Sequence, residues 1–248
     1  MAKIKAMRAK LFTDREYQNL CQIQTVPQFL SQVQERLSME DELERIRLFV
    51  SDMHVRRLLD EARSNDFMRA WVFIRKARGQ NREALTEIKG AEIDLQNILR
   101  IYRLKRYYPD SEVYPHLIPI CHRLGKDDIK QMAESPGVGE FIIAVRHTYY
   151  KHFAGRSGAA GRSGAVGSSD AVGRSDVFGE PVAKFTEKSL DLEMKRIFSR
   201  TEKRYPRSVA GVMAYFFLRR IEIHNLTVVM EGIKYQLPFE EIFNRLRI

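Results

Sequence analysis

The residues best placed to do chemistry are two short polar pairs set in apolar helical stretches. Asp94-Leu95-Gln96-Asn97-Ile98 and Glu222-Ile223-His224-Asn225-Leu226 both read acid, apolar, polar, Asn, apolar. An acid and an Asn three residues apart share one face of a helix. A carboxylate of this kind can act as a general acid or base, given a pocket and a partner, and Glu222 beside His224 is the arrangement to weigh. The same pair can instead form a buried hydrogen-bond or ion-pair node, with Arg100, Arg219 and Arg220 close in sequence. Asp94, Asn97, Glu222 and Asn225 are read here as structural polar nodes. Two copies of an active site on one chain would be odd, whereas a repeated supersecondary unit repeats its packing nodes.

Other chemistry leaves no trace in the sequence. There is no GxxxxGK[ST] phosphate loop, no GxGxxG after a strand and no GxSxG elbow. The six histidines (54, 116, 122, 147, 152, 224) make no metal-binding spacing, and no Cys cluster accompanies them. His147 and His152, in the run HTYYKHF, are read as surface or core-edge residues. The expectation is no catalytic residue, no cofactor and no metal.

The elements that position the two pairs are helices. Of the 248 residues 44% are hydrophobic and 30% charged, while glycine (14) and proline (8) are few. Segments so poor in breakers argue for an all-α chain. The net charge of +10, from 42 Lys+Arg against 32 Asp+Glu, suits a nucleic acid, an anionic membrane surface or an acidic protein, and does not choose among them. Cys21 and Cys121 both lie among apolar neighbours and are read as two buried free thiols in a reducing cytosol. The basic N-terminus lacks an apolar signal core. The longest low-charge apolar stretch, Val209 to Leu218, is too short to span a bilayer, so a soluble protein is expected.

Along the chain, Thr13-Asp14-Arg15-Glu16 is a capping box, and Tyr17, Leu20, Cys21 and Ile23 follow it on a helical face. Thr25-Val26-Pro27 restarts a helix carrying Phe29, Leu30 and Val33. Ser38 to Asp41 begins another, with an apolar series that runs on through Val55, Leu58, Leu59 and Ala62. Phe67, Trp71 and Ile74 continue the pattern to Gly79. Thr86 is a candidate cap for the first signature helix, whose stripe is Ile88, Ala91, Leu95, Ile98, Leu99 and Tyr102. That helix ends in Arg100, Arg103, Lys105 and Arg106, cations that complement the macrodipole. Prolines at 109, 115 and 119 mark a connection. Lys126 opens the next helix, and Ser135-Pro136 is read as an N-cap with proline at the first helical position. Phe141, Ile142, Val145, Tyr149 and Phe153 form the following apolar face. Residues 154–181 are a low-complexity Gly/Ser/Ala stretch with GRSGA twice, read as a flexible linker. Helices over Lys184–Tyr205 and Val209–Lys234, and a short one from Pro238, complete the chain.

The signatures lie 128 residues apart (225 − 97). Upstream, Tyr17, Leu20, Phe29 and Leu30 match Ile129, Met132, Phe141 and Ile142 at an offset of 112 (129 − 17). The second copy is longer by the difference, where the Gly/Ser-rich stretch sits. The expected organisation is a first helical unit over 1–111, the start of a second over 112–153, an insertion over 154–181 and the remainder of the second unit over 182–248.

Several segments resemble the C-type subunit of V-type (A/V-type) ATPases, the equivalent of the eukaryotic V-ATPase d subunit. They are YFFLRRIEIHNLTVVMEGIKYQLPFEEI, IKGAEIDLQNILRIYRLKRYY, LIPICHRLGKDDIKQMAESPGVGEFIIAVRHTYY, AKIKAMRAKLFTDREYQNL and FTEKSLDLEMKRIF. The resemblance implies an all-helical funnel or collar of repeated helical units. It further implies a non-catalytic adaptor, peripheral on the cytoplasmic side of the membrane. Such an adaptor couples the central-stalk subunits to the proteolipid rotor ring during proton or sodium transport. On that reading Arg100, Arg103, Lys105, Arg106, Arg219 and Arg220 are candidate partner contacts, the alternative being solvent or dipole pairing. The family usually has three units and this chain shows two signatures, which bears on closure of a funnel.

Two other functions compete. Basic runs with aromatics, RLKRYY and RTEKRYPR, fit a helical nucleic-acid-binding protein. Interleaved acids and the lack of a recognised binding motif argue against nucleic acid as a partner. An enzyme centred on Glu222 and His224 predicts that Glu222→Gln abolishes an activity and spares the fold, whereas a packing node predicts lost stability.

Overall fold

The computed structural model describes residues 2–34, 63, 66–154 and 185–248. The apolar series from Ser38 to Ala62 and nearly all of the Gly/Ser-rich stretch lie outside the described residues. The fold is all-α: among the described residues there are ten α-helices and a short 3-10 turn. They are α1 (Ala2–Arg8), α2 (Asp14–Cys21), α3 (Val26–Val33), α4 (Phe67–Lys76), α5 (Gly79–Tyr107), α6 (Lys126–Glu134), α7 (Val138–Arg146), α8 (Glu187–Arg204), α9 (Ala210–Lys234) and α10 (Phe239–Arg245). The chain divides into two compact units, Met1–Lys89 with Met194–Ile248, and Gly90–Glu193.

In the first unit the two ends of the chain share a core. Tyr17, Leu20, Cys21, Phe29 and Val33 from α2 and α3 pack with Leu226, Val229 and Ile233 of α9 and with Ile242 and Leu246. Local signals set the elements. The Thr13 capping box is formed, with reciprocal bonds between Thr13 and Glu16. Pro27 sits in the first turn of α3, where its missing N–H costs no helical bond. Gly79 has φ +56°, and this left-handed residue reverses the chain between α4 and α5 at a position where a side chain would be strained. The last turn of the core is tight. A Cβ on Gly232 of α9 would stand 2.5 Å from Ile242 Cγ1, so the glycine lets α10 close against α9.

In the second unit the C-terminal part of α5 is buried on several sides, at Ile93, Leu95, Ile98, Leu99, Ile101 and Tyr102. The connection after it turns at Tyr114–His116, then α6 and α7 pack together. Tyr102, Phe141, Phe153 and Phe185 form an aromatic cluster with ring centroids 4.9 to 6.1 Å apart.

Four local expectations are corrected. Thr86 lies within α5, which begins a turn and more earlier at Gly79. Ser135 closes α6 rather than opening α7: its hydroxyl donates to the Met132 carbonyl at 2.8 Å, and α7 starts at Val138 after Gly137. Tyr149 is exposed and Tyr150 is the buried ring, because α7 ends at Arg146 and the helical period stops there. Cys21 is buried but Cys121 is exposed. Cys121 lies in an irregular, turned stretch, where Ile118 and Ile120 are buried and residue 121 is not.

Candidate functional site: two carboxylate–amide nodes

Asp94 sits on α5, wholly buried, and its carboxylate faces the segment that leads into α6. His122 N–H donates to Oδ1 at 3.1 Å, while Arg123 and Leu124 N–H donate to Oδ2 at 2.7 and 3.1 Å. The Tyr150 hydroxyl donates to the same Oδ2 at 2.9 Å. Burial raises the Asp94 pKa from its ordinary value, and these four donors work against that rise. One turn on, the Asn97 amide clasps one residue twice. It donates Nδ2–H to the Ile118 carbonyl at 3.0 Å and accepts the Ile118 N–H at 2.8 Å. Backbone groups of an irregular segment need partners when buried, and one helix turn supplies them for residues 118 and 122 to 124. Close approach is helped by Gly90, one turn before Asp94, where a Cβ would meet His122 Cγ at 2.4 Å.

Glu222 and Asn225 on α9 do the corresponding work in the first unit. Phe12 N–H donates to Glu222 Oε1 at 2.7 Å. Arg219, one turn earlier and 5% exposed, pairs with the other carboxylate oxygen. Asn225 Oδ1 accepts the Arg247 N–H at 2.8 Å. Burial, then the charge of Glu222, push the Tyr17 phenol above its ordinary range, opposed by a bond with Asn225 and by Arg219. Phe12 precedes α2 as Leu124 precedes α6, and 124 − 12 gives 112, the offset of the apolar match between those helices. The two nodes differ in how the acid is balanced. Asp94 takes only neutral donors in these contacts, while Glu222 has a guanidinium.

In these contacts both buried carboxylates accept backbone N–H groups; general acid–base work needs an acid turned toward a substrate. Among the described residues no group of three or more His, Cys, Asp or Glu is placed to hold a metal ion. No helix among them is long and apolar enough to cross a membrane.

The basic candidates fall into different surroundings. Arg100 donates to the His116 carbonyl at 2.8 Å. Arg103 pairs with Glu187 at 2.7 Å, both about half exposed. Lys105 donates to the Ala133 and Ser135 carbonyls and so caps α6, and its burial there lowers its pKa. Arg106 bonds the Tyr102 hydroxyl and lies near the Tyr102 and Tyr107 rings. Arg219 is inside the Glu222 node. Arg220 is exposed, 5.2 Å from the Phe217 ring centroid.

Sequence reasoning did not find Phe12, Leu124, Ile118 or Arg247, because their contribution is a backbone N–H or C=O that any residue type carries. It also missed Tyr150, Gly90 and Gly232. A helical glycine near each signature was the available signal, since an interior Gly costs stability unless something packs against it.

The chain matches the family described as ATP synthase (C/AC39) subunit over residues 38–245, a stretch that includes both nodes. The C-type subunit of the A-type ATP synthase of Archaeoglobus fulgidus is 26% identical over 159 residues, which is 63% of this chain and 40% of that protein. The matched region is thus well under half the length of that relative. No solved structure matches.

Proposed function

Because the chain belongs to the ATP synthase (C/AC39) subunit family, we propose that it is the non-catalytic adaptor of a rotary A/V-type ATPase or ATP synthase. In that role it couples the central-stalk subunits to the proteolipid rotor ring during ATP-linked proton or sodium transport. It acts as a peripheral component on the cytoplasmic side of the membrane. The observation that carries this reading is a family match running through both signature helices.

The physics of the two units supports the role. A part that transmits torque needs stiff rods whose connections do not slip. Helices α5 and α9, of 29 and 25 residues, are rods of roughly 40 Å at 1.5 Å per residue. The nodes tie their neighbouring loops to them through charge-assisted bonds, which are stronger than neutral ones. The exposed cations, Arg103 and Arg220 among them, supply contacts for acidic or polar partner surfaces.

Affinity purification from detergent-solubilised membranes, with this chain as bait and mass spectrometry of its companions, tests the proposal. Stalk subunits and the proteolipid should co-purify. A folded bait that brings down neither, or brings down RNA-associated proteins instead, overturns it.

A further inference from the structure

We propose that the trough between α4 and α5 is a docking groove for an acidic, amphipathic helix of a partner protein. In naming a protein partner the inference leans on the rotary-complex reading; the groove itself stands on its own geometry. Its volume is about 540 Å³. Trp71 and Arg75 form one wall, Arg82, Glu83, Thr86 and Glu87 the other, and Tyr205 lies at its edge. The α5 contributors recur at i, i+1, i+4 and i+5, which is a single helical face.

Two exposed apolar side chains flank the groove on α4. Met68 and Val72 are 49% and 53% exposed, and with Trp71 and Arg75 they occupy i, i+3, i+4 and i+7 of α4. The charge around it is positive. Arg75 and Arg82 are exposed, as are Lys76 and Arg78 in the α4–α5 corner and Lys203 and Arg204 just before Tyr205. Two acids oppose them, and Glu87 already pairs with Arg204 at 3.8 Å. Trp, Tyr and Arg around a concavity are the residue types that dominate interface energetics.

A nucleic acid fits less well. Phosphates gain nothing from Met68 and Val72, both about half exposed. A helix with Leu or Ile on one face and Asp or Glu on its flanks uses both the apolar side chains and the cations.

Trp71 is the single tryptophan, so its emission reports on the groove without a label. The full chain is titrated with a synthetic helix of about 20 residues carrying Leu at helical spacing and Glu on the flanks. Its twin with Lys for Glu and an oligo(dT) of similar length serve as comparisons. The acidic peptide should shift Trp71 emission saturably, and the other two should not. R75E/R82E, at exposed positions and checked for unchanged helicity, should weaken the acidic peptide by about tenfold or more. A response to oligo(dT) alone, or equal binding of both peptides, overturns the groove. So does a Trp71 blind to all three and shielded from acrylamide, which would mean that the chain covers the groove itself. The variant also separates this inference from the larger one. If wild type and R75E/R82E co-purify equally with ATP synthase subunits, the groove is wrong and the rotary reading stands. If wild type co-purifies with none, the rotary reading fails and the peptide titration still decides the groove.

Discussion

The Tyr150 phenol donates to Asp94 Oδ2 at 2.9 Å, and the same carboxylate takes the N–H groups of three consecutive residues, 122 to 124. One acid thereby fixes the entry to α6 and the turn after α7. Tyr150→Phe keeps the buried ring and removes one donor, so it should cost about 1–2 kcal/mol. Asp94→Ala takes the acceptor from three N–H groups, one buried and two part-buried, and should cost more than Tyr150→Phe, about 3 kcal/mol by the same accounting. Urea midpoints of the two variants measure the difference. Equal and small losses would mean that the node is not a stability element.

The helical glycines predict opposite signs at different positions. Gly232→Ala places a methyl 2.5 Å from Ile242 and should destabilise by about 1–3 kcal/mol through overpacking. Ile242→Ala, itself a core truncation, should combine with Gly232→Ala less than additively, since it removes the atoms in conflict. Gly139, in α7, has nothing within 4 Å of a built Cβ, and Gly139→Ala should stabilise by about 0.5–1 kcal/mol. Thermal melts of the three variants check the ordering, and a stabilised Gly232→Ala would refute the close packing of α9 on α10.

The two thiols should behave differently. Cys21 is buried, and burial pushes its pKa from 9.0 up to about 11. In the window between those values the unfolded chain has lost the proton and the folded chain has kept it. Stability therefore falls as pH rises through the window, while below pH 9 the thiol contributes no pH dependence. Cys21→Ala should flatten that part of the profile relative to wild type. Cys121 is exposed, although burial of its sulfur and the charge of Asp94 raise its pKa. A maleimide at neutral pH should label Cys121 in the folded chain and reach Cys21 only after denaturant is added. Equal labelling of both would contradict the placement of Cys21.

Phe153 and Phe185 lie with ring centroids 4.9 Å apart, so the Gly/Ser-rich stretch leaves and returns at one aromatic contact. Replacing residues 157–182 with a short Gly/Ser bridge should leave the melting temperature within a few degrees of wild type, because loop-closure entropy changes only slowly with length. A large drop would show that the stretch makes contacts the fold depends on.

Much of this was legible in the sequence. The stripe from Ile88 to Tyr102 is buried as read, and the Thr13 box, the Pro27 start and the helices from Glu187, Ala210 and Phe239 all follow local signals. The polar pairs stood out because an acid and an amide on a buried stripe need partners. The partners stayed hidden for a physical reason: they are peptide groups, and a peptide N–H leaves no mark in a one-letter code. Period alone does not say where a helix stops, so it points to Tyr149 where the fold buries Tyr150. Arg219 and Lys105 look like surface cations by type, yet one sits against Glu222 and the other against the end of α6. Only the fold tells them from Arg220.

The bond from Phe12 to Glu222 joins residues 210 positions apart. A ribosome adding roughly 5–20 residues per second makes the donor on the order of 10–40 s before the acceptor exists. Through that interval α2 and α3 have no α9 to cover Tyr17, Phe29 and Val33, and the unit spanning Gly90–Glu193 is fully synthesised before it ends. The order of synthesis thus lets the middle unit close before the outer one, and leaves α2 and α3 waiting longest for the helix that covers them.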